Sequence, residues 1–356
     1  MARIVSAGAG GIVKGGTPLG DLRILHVTEA YGGGVAAVIA QYMSWPGASH
    51  CLLARVRRAD IHPSDIVGVS GNAAESFSGF VNKWLRARTE HYDVVHAHSS
   101  LAGLITRVFP HPSARLVYTP HSAAFAGHRR ALVRLGSAWF EKLALSRTDA
   151  LGAVSSHEGV LFRALGMPSD RIEVVPHAFV AMKSRVATSV KAPIFVSVGR
   201  LCYQKRPEML PLIKSVWERR GLPPARWLWV GDGDDRRRRL LEGSGIRVTG
   251  WLSNVAAKEM TASSTTYLHL ARYEGLPVAA LEAMASRTPV VGFKIPGLDD
   301  IASIAKVQSV EEMVQVMAAL CDPSFRGRQV NRQDVELAHR FSPDRQFEAL
   351  GRLYSR

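Results

Sequence analysis

Two successive α/β domains, each a doubly wound parallel sheet, are the fold that the sequence predicts, and three observations predict it. Short apolar runs rich in β-branched residues alternate with longer segments of helical period. The runs are continuous rather than alternating, as strands buried on both faces require. The beat stops near residue 178 and restarts at 193, after a stretch without periodicity. A chain of 356 residues, 47% hydrophobic and 21% charged, has the length and the core for this.

Residues 1–20 are glycine-rich and lack a long apolar run, so they read as a poorly ordered leader. The N-terminal domain, 21–178, opens with LRILHV (22–27) and a helix over 35–43. DVVHA (93–97), RLVYT (115–119) and ALGAV (150–154) follow as strands, each with a helix behind it. The last of these helices opens at Ser155, where Ser155 and Glu158 have the spacing of a capping box. IEVVPHA ends the unit. Residues 179–192 read as a linker. The C-terminal domain, 193–338, runs through PIFVSV, WLWV, IRVTG, TTYLHL and PVVGF as strands. Residues 339–356 form a closing helix.

Several classes are excluded at once. No window approaches the eighteen apolar residues of a spanning helix. Cys51, Cys202 and Cys321 form neither a disulfide framework nor a zinc spacing, and the natural compartment is a reducing cytoplasm. Neither domain has a strong G-x-G-x-x-G after a strand, so a dinucleotide-dependent enzyme is disfavoured. The net charge of +15 is spread over both halves and favours anionic ligands or surfaces, but no nucleic-acid module is present.

In open parallel sheets ligands bind beyond the carboxyl ends of the strands, and three such places carry chemistry here. After PIFVSV come Gly199, Arg200 and Lys205, a guanidinium fork and an ammonium suited to a diphosphate, or else a solvated basic loop. After WLWV come Gly231, Asp232, Gly233 and Asp234. This is either a tight turn that lets backbone approach a ligand or an acidic pair for a divalent metal, and Arg236 to Arg239 oppose a cation. After TTYLHL come Glu274, Gly275, Leu276 and Pro277, with Pro277 in a first helical turn and Glu282 two turns beyond Glu274. The amides of Gly275 and Leu276 make an anion seat, while Glu282 is either a ligand for hydroxyls or an exposed surface acid.

Taken together and in this order, these residues resemble the retaining glycosyltransferases of family four, in the glycogen-synthase-like superfamily. The resemblance implies a GT-B fold, with two Rossmann-like domains facing across a cleft and a nucleoside-diphosphate sugar, most often a UDP-sugar, as donor and no metal or other cofactor. It implies that Arg200 and Lys205 grip the diphosphate, Glu274 meets the transferred sugar, Glu282 the ribose, and Trp251 and Leu252 the base. Gly33 and Gly34, in the Tyr31–Gly34 loop, resemble the family's glycine-rich loop, and His121 resembles the histidine that reaches toward the donor sugar. His96 and His98 are read as structural or cleft-lining rather than metal-binding. The implied reaction is front-face transfer with retention to a lipid-linked or polysaccharide acceptor, at the inner face of a membrane.

The helix around Arg129, Arg130, Arg134, Trp139, Phe140 and Lys142 is a candidate contact with anionic lipid. The alternative is a helix packed on the sheet with its basic face in water. Two loops depart from the family pattern. Pro176-His177-Ala178 stands at the hinge, and FKIPGLDD, with Gly297 and Asp299, faces the donor. These departures keep a second reading alive, a catalytically weak partner subunit that binds a nucleotide sugar.

Overall fold

Both halves of the chain fold as parallel sheets wrapped by helices. The computed structural model describes residues 22–56, 73–74, 76–127, 131–181 and 192–355. The leader, Arg129, Arg130 and most of the linker lie outside them.

The N-terminal half runs β1 (Arg23–Tyr31), α1 (Gly33–Met43), β2 (Ser49–Val56), β3 (Ala73–Ala74), α2 (Phe77–Ala87), β4 (Val94–His98) and α3 (Ser100–Val108). It continues with β5 (Arg115–Thr119), α4 (Ala124–Gly127), α5 (Ala131–Ala144), β6 (Ala150–Ala153), α6 (Ser156–Leu165) and β7 (Ile172–Val174). The second half runs β8 (Ile194–Val198), α7 (Met209–Arg219), β9 (Arg226–Val230), α8 (Asp235–Gly243), β10 (Arg247–Val248), α9 (Asn254–Ala262) and β11 (Thr266–His269). It ends with α10 (Val278–Ala285), β12 (Val290–Phe293), β13 (Ala305–Val307), α11 (Val310–Ala319), α12 (Pro323–Arg340) and α13 (Pro343–Ser355).

The first sheet has the order β3-β2-β1-β4-β5-β6-β7 and the second β10-β9-β8-β11-β12-β13. In each, the chain winds outward in one direction, returns to the centre, and winds out the other way. The reversal falls between β1 and β4 in one sheet and between β8 and β11 in the other. These switch points are where a doubly wound sheet opens a crevice.

Three expectations shift. β2, β3 and β13 were not anticipated. Pro277 caps α10 from outside, with ψ 95°, instead of occupying its first turn. At Ser155 the hydroxyl accepts from the Glu158 amide at 3.2 Å, but the Glu158 carboxylate reaches past the cap to the Val154 amide at 2.9 Å.

Residue 339 falls inside α12, so the segment that crosses back is α13. Its Ala349, Leu350, Leu353 and Tyr354 join Ile24, Val38 and Val94 in one buried cluster under the first sheet. The Tyr354 hydroxyl lies 2.7 Å from His96 Nδ1, and Arg115 donates to the Tyr354 carbonyl at 2.9 Å. In the second domain an aromatic cluster fills the space between α7 and the sheet, with the Phe195 and Trp217 rings 4.8 Å apart.

α5 is held by a polar anchor. Arg107 donates to Glu141 at 2.7 Å, Tyr118 donates to the same carboxylate at 3.0 Å, and the Arg107 guanidinium lies over the Tyr118 ring. Glu141 and Ala144 are its buried residues. Leu132 (84% exposed), Leu135, Trp139 and Leu143, spaced 3, 4 and 4, form an apolar stripe facing outward, with Arg134 and Lys142 also exposed. The expectation of a helix whose apolar face packs on the sheet is therefore corrected.

Candidate functional site

The backbone at the end of β8 is shaped by glycine. Gly199 has φ 146° and Gly231 φ 129°, and a Cβ on Gly231 would fall 2.3 Å from the Gly199 carbonyl oxygen. Only glycine lets the two strand ends approach so closely. The turns are then zipped together, Leu201 donating to the Asp232 carbonyl at 2.7 Å and Asp234 to the Leu201 carbonyl at 3.0 Å. Gly233, φ 152°, packs against Arg200.

The acids of this turn are engaged by the adjacent basic run. Asp232 accepts from Arg238 Nη2 at 2.5 Å and from the Gly233 amide, and Asp234 caps α8 by accepting from the Arg237 amide. The pair thus organises the turn and the start of α8.

A second set of bonds stitches the loop after β8 to the loop after β11. Arg272 donates to the Gln204 carbonyl at 2.8 Å, and Gln204 Nε2 donates to the Tyr273 carbonyl and, at 3.2 Å, to Glu274 Oε2. Lys205 Nζ reaches Glu274 Oε1 at 2.5 Å, the ammonium side chain 23% and the carboxylate side chain 11% exposed. Gly297 lies under this loop, where a Cβ would come within 2.5 Å of the Glu274 carbonyl oxygen. The departure FKIPGLDD therefore still supplies the glycine that the Glu274 loop needs.

Glu282 is mostly buried on α10, contrary to the reading of an exposed surface acid. Burial raises its carboxyl above the ordinary range, and Lys258 at 3.5 Å works against that shift. It lines a small recess with Val198, the residue before Gly199, and with Ala257 and Ala279. Leu252 packs in the same apolar cluster, while Trp251 is partly exposed in the loop before α9. Burial raises the Tyr267 phenol above its ordinary value, and Glu274 and Glu282 add to that shift. On the other side, Arg206, Arg272 and Lys294 line an open cleft of about 490 Å³, Arg272 being paired with Glu208 at 2.6 Å.

The N-terminal domain closes over this surface. A Cβ on Gly275 would sit 2.3 Å from the His121 carbonyl oxygen, and His121 itself holds φ 60°, a strained conformation for a side-chain-bearing residue. Gly34, at the start of α1, faces Val278 at the start of α10, and Gly33 takes φ 50°. Gly127 meets the Tyr273 ring, and the Ser156 amide donates to Asp300. Leu276 and Pro277 are buried beneath these contacts.

Of the residues singled out from the sequence, Lys205 and Glu274 are in direct contact, Gly275 meets the His121 carbonyl across the cleft, and Gly34 meets Val278. Glu282 and Val198 line the small recess of the C-terminal domain, and Leu252 packs in the same apolar cluster. Gln204, in the loop after β8, and Lys258, within α9, were missed. His96 and His98 are fully buried within a larger group of histidines.

Residues 34–178 match the profile of the glycosyl transferase 4-like domain, and residues 192–322 that of glycosyl transferases group 1. The chain is 26% identical over 243 residues to the UDP-Gal:alpha-D-GlcNAc-diphosphoundecaprenol alpha-1,3-galactosyltransferase of Escherichia coli. That match covers 59% of this chain and 60% of the relative's length. Among solved structures it resembles sucrose-phosphate synthase from Thermosynechococcus elongatus, with TM-score 0.74, 17% identity, and 94% and 98% of the two chains covered. It also resembles Anabaena HepE in complex with UDP-glucose, with TM-score 0.73, 15% identity, and 93% and 98% covered. The two facing domains are thus a GT-B fold.

Proposed function

Because the chain belongs to the glycosyltransferases that join a 4-like domain to a group 1 domain, we propose that it moves a hexosyl unit, with retention, from a UDP-sugar to a lipid-linked or polysaccharide acceptor. The observation that carries this is the contact of Lys205 with Glu274 at the C-domain switch point, next to Gly275, which meets the His121 carbonyl of the other domain. In this reading Lys205 and Arg200 bind the diphosphate, where negative charge builds as the glycosidic bond breaks. Glu274 then accepts from sugar hydroxyls and Glu282 from the ribose, while Leu252 and Trp251 border the base. The leaving phosphate oxygen takes the acceptor's proton, so positioning supplies most of the rate. Support for the donor comes from the UDP-glucose held by HepE and from the UDP-Gal named for the Escherichia coli relative.

The acceptor reading draws on that relative's diphosphoundecaprenol substrate and on α5. Among the described residues no helix is long and apolar enough to cross a membrane. The stripe of Leu132, Leu135, Trp139 and Leu143 with Arg134 and Lys142 suits shallow docking on an anionic bilayer. α4, whose Gly127 touches Tyr273, packs against α5.

The test is donor turnover by the purified chain across a panel of nucleotide sugars, with product anomer read by NMR and binding read by thermal shift. Turnover of a UDP-sugar with retained configuration, unaffected by chelator, is expected. Donor binding without turnover or hydrolysis would replace this reading with the partner-subunit one, and absence of any shift would overturn both.

A further inference from the structure

Histidines from four neighbouring strands form one hydrogen-bonded row across the first sheet. The order β2-β1-β4-β5 sets His50, His26, His98 and His121 side by side, His121 lying two residues beyond β5. Adjacent strands are about 4.8 Å apart, close to the step that an imidazole pair needs. The ring centroids advance by 5.2 Å at each of the three steps.

Every step is nitrogen to nitrogen at 3.0 Å. His50 Nδ1 meets His26 Nε2, His26 Nδ1 meets His98 Nε2, and His98 Nδ1 meets His121 Nε2. At the outer end His50 Nε2 lies 2.9 Å from the Trp45 carbonyl oxygen. Among the described residues, no group hydrogen-bonds to His121 Nδ1.

A carbonyl can only accept, so His50 carries its proton on Nε2 and offers Nδ1 as an acceptor. In a row of neutral rings this one constraint propagates. His26 must donate from Nε2, then His98, then His121, and each ring's Nδ1 is left bare. Burial keeps the rings neutral, holding His26 and His98 well below the ordinary histidine value, His121 down to about 3, and His50 lowered as well.

The surrounding groups bring no charge to reverse the order. Tyr42 from α1 packs tilted against His98 and stacks on His96, Tyr354 from α13 bonds His96, and burial raises both phenols far from ionisation. His96 and His177 are themselves held neutral by burial. His26, His96 and His98 are close enough to suggest a metal. Yet both nitrogens of each ring already have partners, those of His96 being Tyr354 and Thr119.

We propose that His50, His26 and His98 are positioning residues that fix His121 as its Nε2–H tautomer, so that Nδ1 is presented to the cleft as an acceptor for a sugar hydroxyl. The hydroxyl part rests on the transferase reading, whereas the tautomer part does not.

The experiment uses the full chain with ¹⁵N-labelled histidine and two-bond nitrogen–proton correlation spectra. In the wild type His121 is expected as a single neutral tautomer protonated at Nε2. His50→Phe removes the anchor, and both tautomers should appear at His121. His50→Gln keeps an N–H for the Trp45 carbonyl and an oxygen that can only accept from His26, and should restore the single form. In turnover assays His50→Phe should raise the KM for the UDP-sugar about 2- to 10-fold, the share of one neutral hydrogen bond. Affinity for UDP alone should not change, and His50→Gln should behave as wild type.

A wild-type His121 protonated at Nδ1, or charged, would overturn the inference whatever the variants do. So would a His50→Phe spectrum still showing one Nε2–H form. If the tautomers behave as expected while UDP-sugar and UDP affinities move together, the hydroxyl part falls.

Discussion

Removing the Lys205 ammonium separates two roles of the Lys205–Glu274 pair. In Lys205→Ala the Glu274 carboxylate, 11% exposed, loses its ammonium partner and keeps the side-chain bond from Gln204. Breaking a fully buried ion pair costs about 3–5 kcal/mol. Residual solvent at Lys205 and the surviving Gln204 bond bring the expected loss to about 2 kcal/mol, or about 4–8 °C in melting temperature for a domain of this size. The double variant Lys205→Ala, Glu274→Ala removes the stranded carboxylate and should regain most of that stability. Turnover should not return, because loss of one preorganised charge facing the diphosphate costs about 100- to 1,000-fold. Differential scanning calorimetry and UDP-release kinetics on the wild type, Lys205→Ala, Glu274→Ala and the double variant complete a double-mutant cycle. If the double variant melts lower than the single one, a stranded charge is not the cause of the loss. If Lys205→Ala turns over within about threefold of wild type, well short of the loss expected for a preorganised charge, Lys205 does not serve the diphosphate.

Gly275→Ala should force the His121 loop away, since the new methyl would meet the His121 carbonyl oxygen at 2.3 Å; reduced turnover with an increased radius of gyration by X-ray scattering is expected, and an unchanged radius would count against the contact. Burial raises the Glu158 carboxyl to about 8 from an ordinary value near 4.5, so between those values the unfolded chain has released a proton that the folded one keeps. Stability therefore declines as pH rises from about 4.5 toward 8, and Glu158→Gln, which retains an acceptor for the Val154 amide, should flatten that decline in melting curves taken across the same window.

Most of the strands were legible because parallel strands buried on both faces leave unbroken apolar runs, as in RLVYT and PIFVSV. β2 was missed because SHCLLARV begins with polar residues and carries Arg55 next to its end, and β13 because three residues carry no period. Lys205, Glu274 and Glu282 could be picked out because they follow strand ends. Their partners could not, since Gln204 is paired with Glu274, 70 residues away, only by the strand order. The histidine row was hidden for the same reason. Each ring belongs to a different strand, and nothing in the local pattern of His26 or His50 points to the others. The outward stripe of α5 was ambiguous because its spacing fits either a buried or an exposed apolar face. The polar anchor at Glu141 decided between them.

The bond between His96 and the Tyr354 hydroxyl spans 258 positions of chain. During synthesis, the first sheet emerges from the ribosome long before the helix that completes its underside exists. Until α13 arrives, the apolar surface around Ile24, Val38 and Val94 and one edge of the histidine layer stay open to water or to chaperones. The nascent N-terminal half should thus be held as an unfinished layer, and completion of its underside should be timed by the docking of α13.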